Sequence, residues 1–182
     1  MNKLIENIVK PKNDLERRII SDPDFIEGAL YGKPRHGHPE GQVIYHIKEV
    51  LANIEEYYGE DSDYDELRII ALVHDTFKHK VDRNMPKAGE NHHGMIARRF
   101  AEKFQMHVDV YTVIEMHDDA YNAWSKGNRR GDWYGAEKKA TNSINGLLIE
   151  NCLDLFIKFY YCDNHTGNKS NDDYEWFINL IQ

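Results

Sequence analysis

Residues 43–58 read VIYHIKEVLANIEEYY, and residues 67–78 read LRIIALVHDTFK. In the first stretch Val43, Ile47, Val50, Leu51, Ile54 and Tyr58 recur at steps of three and four, the period of one helix face, and the stripe stops at Gly59. In the second, Leu67, Ile70, Ala71, Val73 and Phe77 form another stripe, entered through an acidic segment at 61–66 that suits a helix N-terminus. Working outward, His93, Ile96, Ala97, Phe100, Ala101 and Phe104 predict a third helix and Val110, Val113 and Ile114 a shorter fourth. Ile144, Leu148, Cys152, Leu155, Phe156 and Phe159 predict one long fifth helix. Leu4, Ile5, Ile8 and Val9 precede Pro11, and Leu15, Ile19 and Ile20 follow it, so two short helices open the chain; residues 174–181 add a turn or two at its end. Gly and Pro place loops at 31–41, 79–90 and 120–135. Period-2 alternation is nearly absent. The expected fold is all-α, a single helical bundle over residues 1–182 with no break suited to a domain boundary.

The chain has 182 residues, carries a net charge of −8 and contains ten histidines and two cysteines. An acidic chain lacks the basic surface that general binding to a nucleic-acid backbone requires. The longest unbroken aliphatic run, Ile69 to Val73, is far too short for a membrane span. The start, Met1-Asn2-Lys3-Leu4, lacks the apolar stretch of a signal peptide, so a cytoplasmic location is expected. Cys152 and Cys162 fall on the predicted fifth helix about 15 Å apart along its axis. That is too far for a disulfide, so two reduced thiols are expected.

The histidines and their carboxylates carry the chemistry. His46 lies three residues after Val43 and four before Val50, bordering the buried face. His74, with Asp75 beside it, follows Ile70 by four; His117 follows Val113 by four; Asp163 follows Phe159 by four. A polar group aimed at a core is costly unless something satisfies it. One such histidine is ordinarily a core histidine with a hydrogen-bond partner. Four such positions on four separate stripes have a cheaper common explanation, convergence on a metal. Imidazole with carboxylate suits Mn, Fe, Co, Ni or Zn, and carboxylate-rich sites admit Mg. With no cysteine near these positions, a thiolate zinc site is disfavoured.

The pattern His46 … His74-Asp75 … Asp163 resembles the HD-domain phosphohydrolase superfamily of all-α metalloenzymes. His38-Pro39-Glu40-Gly41, eight residues ahead of His46, is similar to the entry of the HD module in bacterial CCA-adding tRNA nucleotidyltransferases. Residues 71–78, ALVHDTFK, look like the LLHDIGK stretch of many HD enzymes, lysine included. The resemblance spans about residues 36–165, and the nucleotidyltransferase catalytic domain is absent, so that activity does not carry over. Ile47 stands where members often have Ser or Thr, and Phe77 where they have glycine, which adds bulk expected to narrow the pocket.

The resemblance implies one or two divalent ions. His46, His74, Asp75 and Asp163 would hold the first. For the second, members add a histidine at the start of the next helix and another at the end of the one after, here His92 or His93, and His117 with Asp118. Helical phase selects His93, in register with Ile96, Ala97, Phe100 and Ala101, whereas His92 aligns with the wetter Met95 and Arg99. Asp75 would bridge, having two oxygens where an imidazole has one free lone pair. Asp75 and Lys78 are the expected catalytic residues, Lys78 as a point charge for a phosphate oxygen. His36 and His38 would line the pocket mouth; His79, His107 and His165 read as peripheral.

Residues 124–140 hold Lys126, Arg129, Arg130, Lys138 and Lys139 against only Asp132 and Glu137, with Trp124, Trp133 and Tyr134 interleaved. As a loop after His117-Asp118, this segment would bring Arg129, Arg130 and a stacking Trp133 to a substrate, or would simply be a solvated insertion. The implied activity is hydrolysis of a phosphate ester on a nucleotide or other small phosphorylated metabolite, with a nucleic-acid end a lesser option. Two other classes fit the same residues: a di-iron HD-type oxygenase and a non-catalytic nucleotide sensor.

Overall fold

A computed structural model describes residues 2–34 and 41–182, and among them every regular element is helical apart from one isolated antiparallel bridge, Gly32 with Gln42. The order is α1 (Lys3–Val9), α2 (Asp14–Ser21), α3 (Pro23–Ala29), α4 (Val43–Tyr58), α5 (Tyr64–Val73), α6 (His93–Ala101), α7 (Val108–Met116), α8 (Asp119–Arg130), α9 (Trp133–Ile149), α10 (Leu153–Asn164) and α11 (Asp172–Ile181). Short 3₁₀ turns occupy Lys78–Lys80, Gly89–Asn91 and Glu102–Phe104. The all-α expectation holds. His36 and the His38-Pro39-Glu40 stretch lie outside the described residues.

α5 is the axis of the fold. Every residue from Leu67 to Val73 is buried, and it packs against α4, α6, α7 and α10. A helix apolar all round belongs at the centre of a bundle. Its one charged residue in that run, Arg68, is satisfied by Glu16 of α2, to which Nε donates at 2.7 Å and Nη2 at 2.9 Å. Glu16 is itself fully buried and also accepts from the Lys12 backbone N–H at 2.9 Å, so one carboxylate caps α2 and ties it to the central helix. α5 closes at Val73 rather than running on to Phe77. His74 caps it, and Thr76 holds the following turn by donating to the Leu72 carbonyl at 2.6 Å. α3 meets that turn so closely that a Cβ at Gly28 would overlap the Thr76 carbonyl.

Several expected boundaries shift. Segment 120–135 is not a loop: α8 covers Asp119–Arg130, and only Gly131 and Asp132 separate it from α9. Gly131 is a helix stop with φ +70°, but Gly127 lies inside α8 because the Trp133 ring occupies the space a side chain would take. The long fifth helix is two, broken at 150–152, where Asn151 adopts φ +54°. Cys152 therefore caps α10 rather than continuing α9. α3 was not read from the sequence, and α11 is longer than a turn or two. Phe77 does not narrow a pocket: it turns into the core, its ring 4.6 Å from that of Phe100.

Both cysteines are buried free thiols, and burial pushes Cys152 up to about 11 and Cys162 up to about 12. In native protein at pH 8 neither should react with iodoacetamide, whereas both react after unfolding; mass spectrometry of the alkylated chain reads this directly. Arg68→Ala strands the Glu16 carboxylate in the core and is expected to cost about 3–5 kcal/mol, measured as a drop in the urea midpoint.

Candidate metal centre

Five helix ends or faces bring imidazoles and carboxylates to one place beside α5. His46 comes from the first turn of α4, His74 and Asp75 from the C-terminus of α5, His93 from the first residue of α6, His117 and Asp118 from the connection between α7 and α8, and Asp163 from the last turn of α10. All of the residues expected as ligands converge. His74 is fully buried, and His46, Asp75 and His117 are nearly so.

They form two groups that share Asp75. On one side His46 Nε2 lies 3.2 Å from His74 Nε2 and 2.9 Å from Asp163 Oδ1, and both imidazole nitrogens lie 3.7 Å from Asp75 Oδ2. On the other, His93 Nε2 lies 3.1 Å from His117 Nε2, and the two nitrogens lie 3.5 and 3.3 Å from Asp75 Oδ1. Asp118 Oδ2 adds a carboxylate 3.8 Å from His93 Nε2. Each oxygen of Asp75 therefore faces its own pair of imidazoles.

The supporting contacts set the imidazole tautomers. His74 Nδ1 donates to the Ala71 carbonyl at 3.0 Å and His117 Nδ1 to the Ile114 carbonyl at 2.8 Å. A carbonyl only accepts, so each Nδ1 carries a proton and each Nε2 points at the centre, where its lone pair is free once the ring is neutral. Asn53 of α4 donates to the carbonyls of Cys162 and His165, at 2.8 and 3.0 Å, which pins the end of α10 and sets Asp163 against His46. α6 and α7 approach closely because residue 94 is glycine; a Cβ there would overlap the Glu115 carbonyl, and Arg98 clamps the pair by donating to Glu115 at 2.5 Å.

Burial holds His74 neutral, lowering its pKa to about 3. Burial also opposes a charge on His117, but the Asp75 carboxylate 3.3 Å away and the nearby charge of Asp118 outweigh this and raise it to about 9. Asp75 and Asp163 are equally enclosed, yet the ammonium groups of Lys78 and Lys169, respectively, with the neighbouring histidines keep both well below the usual carboxylate range. The Asp75 Oδ1 and Asp118 Oδ1 atoms are buried and accept no hydrogen bond among the described residues. Imidazole nitrogens facing one another across about 3 Å, with anionic oxygens left unsatisfied beside them, are a set of donors that could hold a cation. Three such groups can hold a metal ion: His46, His74 and Asp75; Asp75, His93 and His117; and His92, His93 and Asp118.

Two more neighbours stand beside the centre: His92, which helical phase sets second to His93, and Lys169, which the sequence does not mark. His92 Nε2 lies 3.4 Å from Asp118 Oδ2. Helical phase misplaced it because His92 is not in the helix: it caps α6 with extended backbone, and its Nδ1 accepts from the Gly94 N–H. Lys169 lies 3.3 Å from Asp163 Oδ1, from a loop with no pattern to mark it. Lys78 pairs directly with Asp75. His165 turns away from Asp163 and stacks on Tyr161, with ring centroids 4.0 Å apart.

The centre opens into a cavity of about 1340 Å³ lined by His46, Asp75, Lys78, His92, His93 and Asp118 and, along α8, by Lys126, Arg129 and Arg130. Trp133 does not line it; its ring covers Gly127 and faces Trp176, with centroids 6.0 Å apart, so the expected stacking role is not available to it in this conformation. No protein-family model, curated protein or solved structure matches the chain.

In metal-free protein the raised pKa of His117 stabilises the fold fully below pH 6.5, and that contribution is lost as pH rises through about 9. Chelated wild type should show a Tm that falls across this interval, and His117→Gln should flatten the fall. A wild-type Tm independent of pH over that range would refute the assignment.

Proposed function

We infer that the chain is an HD-type phosphohydrolase that uses divalent metal to cleave a phosphate ester of a nucleotide or other small phosphorylated metabolite. The observation that carries this reading is Asp75, whose two oxygens face two separate imidazole pairs at 3.3–3.7 Å. Carboxylate bridging of that kind is the chemistry of two-metal phosphoester sites. His46, His74, Asp163 and Asp75 Oδ2 would hold one ion; His93, His117, Asp118 and Asp75 Oδ1 would hold the other. Bound divalent ions lower the pKa of a water toward neutrality and polarise a phosphoryl oxygen.

The chain's own groups do the rest. The backbone carbonyls behind His74 and His117 keep both imidazoles in the ligating tautomer. Lys78 keeps Asp75 ionised, and its ammonium faces the cavity, where a phosphate oxygen would compete for it. Asp163 is held in turn by Lys169. Among the described residues no helix is long and apolar enough to cross a membrane, and the cavity wall supplies cations suited to an anionic substrate.

The test is hydrolysis of nucleotides and generic phosphate esters with Mn, Co, Ni, Fe and Mg, alongside metal analysis. Wild type should bind two ions and release phosphate; Asp75→Ala should lose both properties, and His93→Ala should retain one ion. Lys78→Ala should lower kcat by about 10²-fold, as loss of one positioned charge donor does. Equal activity in wild type and Asp75→Ala would overturn the reading. Two irons with O₂ uptake and no phosphate release would replace it with the oxygenase.

A further inference from the structure

α8 begins at the metal centre and leads away from it along one cavity wall. Its cavity-lining residues are Asp119, Asn122, Ser125, Lys126, Arg129 and Arg130, after Asp118 at the cap. These recur at steps of three and four, so a single face of the helix lines the cavity from end to end. The character of that face changes along it: carboxylates at the centre, then neutral Asn122 and Ser125, then three cations. Among the described residues, every carboxylate lining the cavity is a candidate ligand or lies within two residues of one, namely Asp75, Glu115, Asp118 and Asp119. Arg83 and Lys87, from the 81–89 segment, add further cations to the cavity lining.

Arg129 is steered rather than loose, donating to the Tyr121 hydroxyl at 3.0 Å two turns back. Arg130 and Lys87 have no ion-pair partner among the described residues, whereas Lys126 pairs with Asp132 at 2.9 Å. With a rise of about 1.5 Å per residue and side chains leaning toward the helix N-terminus, the guanidinium groups lie on the order of 10–15 Å from Asp118. A second phosphate on a mononucleotide does not reach so far. A stacked single strand carries a phosphate about every 3.4 Å of rise, so this distance corresponds to about three or four phosphates. The cavity, about 1340 Å³, also exceeds the roughly 300–1,000 Å³ of an ordinary small-molecule site.

We propose that Arg129 and Arg130 form a distal anion subsite and that the preferred substrate is the phosphorylated end of a linear phosphate-bearing chain, of oligonucleotide length, rather than a mononucleotide. This rests on the metal centre being the site of phosphoester cleavage. The neutral stretch at Asn122 and Ser125 would lie beside the intervening part of the chain, and the acidic remainder of the surface would discourage binding anywhere else.

Binding is measured first, on full-length protein held in chelator, so that no hydrolysis is needed. Probes are a mononucleotide, tetranucleotides phosphorylated at the 5′ or the 3′ end, and inorganic tetrapolyphosphate. Fluorescence anisotropy competition should show the tetranucleotides bound at least tenfold more tightly than the mononucleotide. Arg129→Gln with Arg130→Gln, both at exposed helical positions, should remove that advantage. It should also make the dependence of log K on log salt shallower by about 1.4, the value for two single-strand phosphate contacts. Restoring charge with Arg129→Lys and Arg130→Lys should recover most of it, which a purely structural role would not. Tetrapolyphosphate binding with the same dependence on the two arginines assigns the subsite to phosphate chains without nucleosides; its failure to bind assigns it to oligonucleotides. Equal affinity for mononucleotide and tetranucleotide, or a tetranucleotide advantage untouched by the double variant, overturns the proposal. Metal-loaded turnover then separates the two readings. Length-dependent binding without phosphate release would leave the subsite standing and remove the phosphohydrolase, and release from small esters without length-dependent binding would do the reverse.

Discussion

The structure turns on the C-terminus of α5. A helix enclosed on all sides by α4, α6, α7 and α10 ends at His74 and delivers Asp75 into the middle of the bundle. Because α5 has no freedom to shift, the two oxygens of Asp75 are held in place, and the imidazole pairs on either side are set by the helices that pack against it. The buried Glu16–Arg68 pair belongs to the same constraint, since it satisfies the only charge in the helix's enclosed run. Pairs of this kind contribute little net stability, but losing one partner is expensive. The N-terminal helices are therefore bound to the element that carries the centre.

The centre itself runs against stability. Unpartnered Asp75 Oδ1 and Asp118 Oδ1, and imidazole nitrogens about 3 Å apart, are what a folding sequence ordinarily avoids. They persist because the surrounding contacts over-determine them: carbonyls hold His74 and His117, Asn53 holds the end of α10, and the close approach at Gly94 holds α6 to α7. A bound cation would convert this local cost into binding energy, which couples metal content to fold stability.

The gaps in the sequence reading have physical causes. Glycine in segment 120–135 reads as a breaker, and that holds for Gly131, whose φ is +70°. Gly127 is there for room, under the Trp133 ring, and the two uses look alike in a string of letters. The break between α9 and α10 carries no Gly or Pro; Asn151 takes the left-handed conformation instead, as asparagine does more readily than most. His92 was weighed by helical phase although it precedes the helix, and a cap has no phase. Read as a loop, 124–140 offers basic side chains and a stacking Trp133 to a substrate. As a helix hairpin it forms a cavity wall whose arginines, not its tryptophan, line the cavity.

What the sequence determined alone is the helical class and, helix by helix, which histidines and carboxylates point inward. Those follow from spacing within a single element, and the 3.6-residue period is local. Tertiary structure decided the rest: that Asp75 serves two groups with separate oxygens, that His92 and Lys169 join their edges, and that one face of α8 runs from carboxylate to arginine along a cavity. Each depends on how helices distant in sequence pack against one another, and no spacing within a segment encodes that distance.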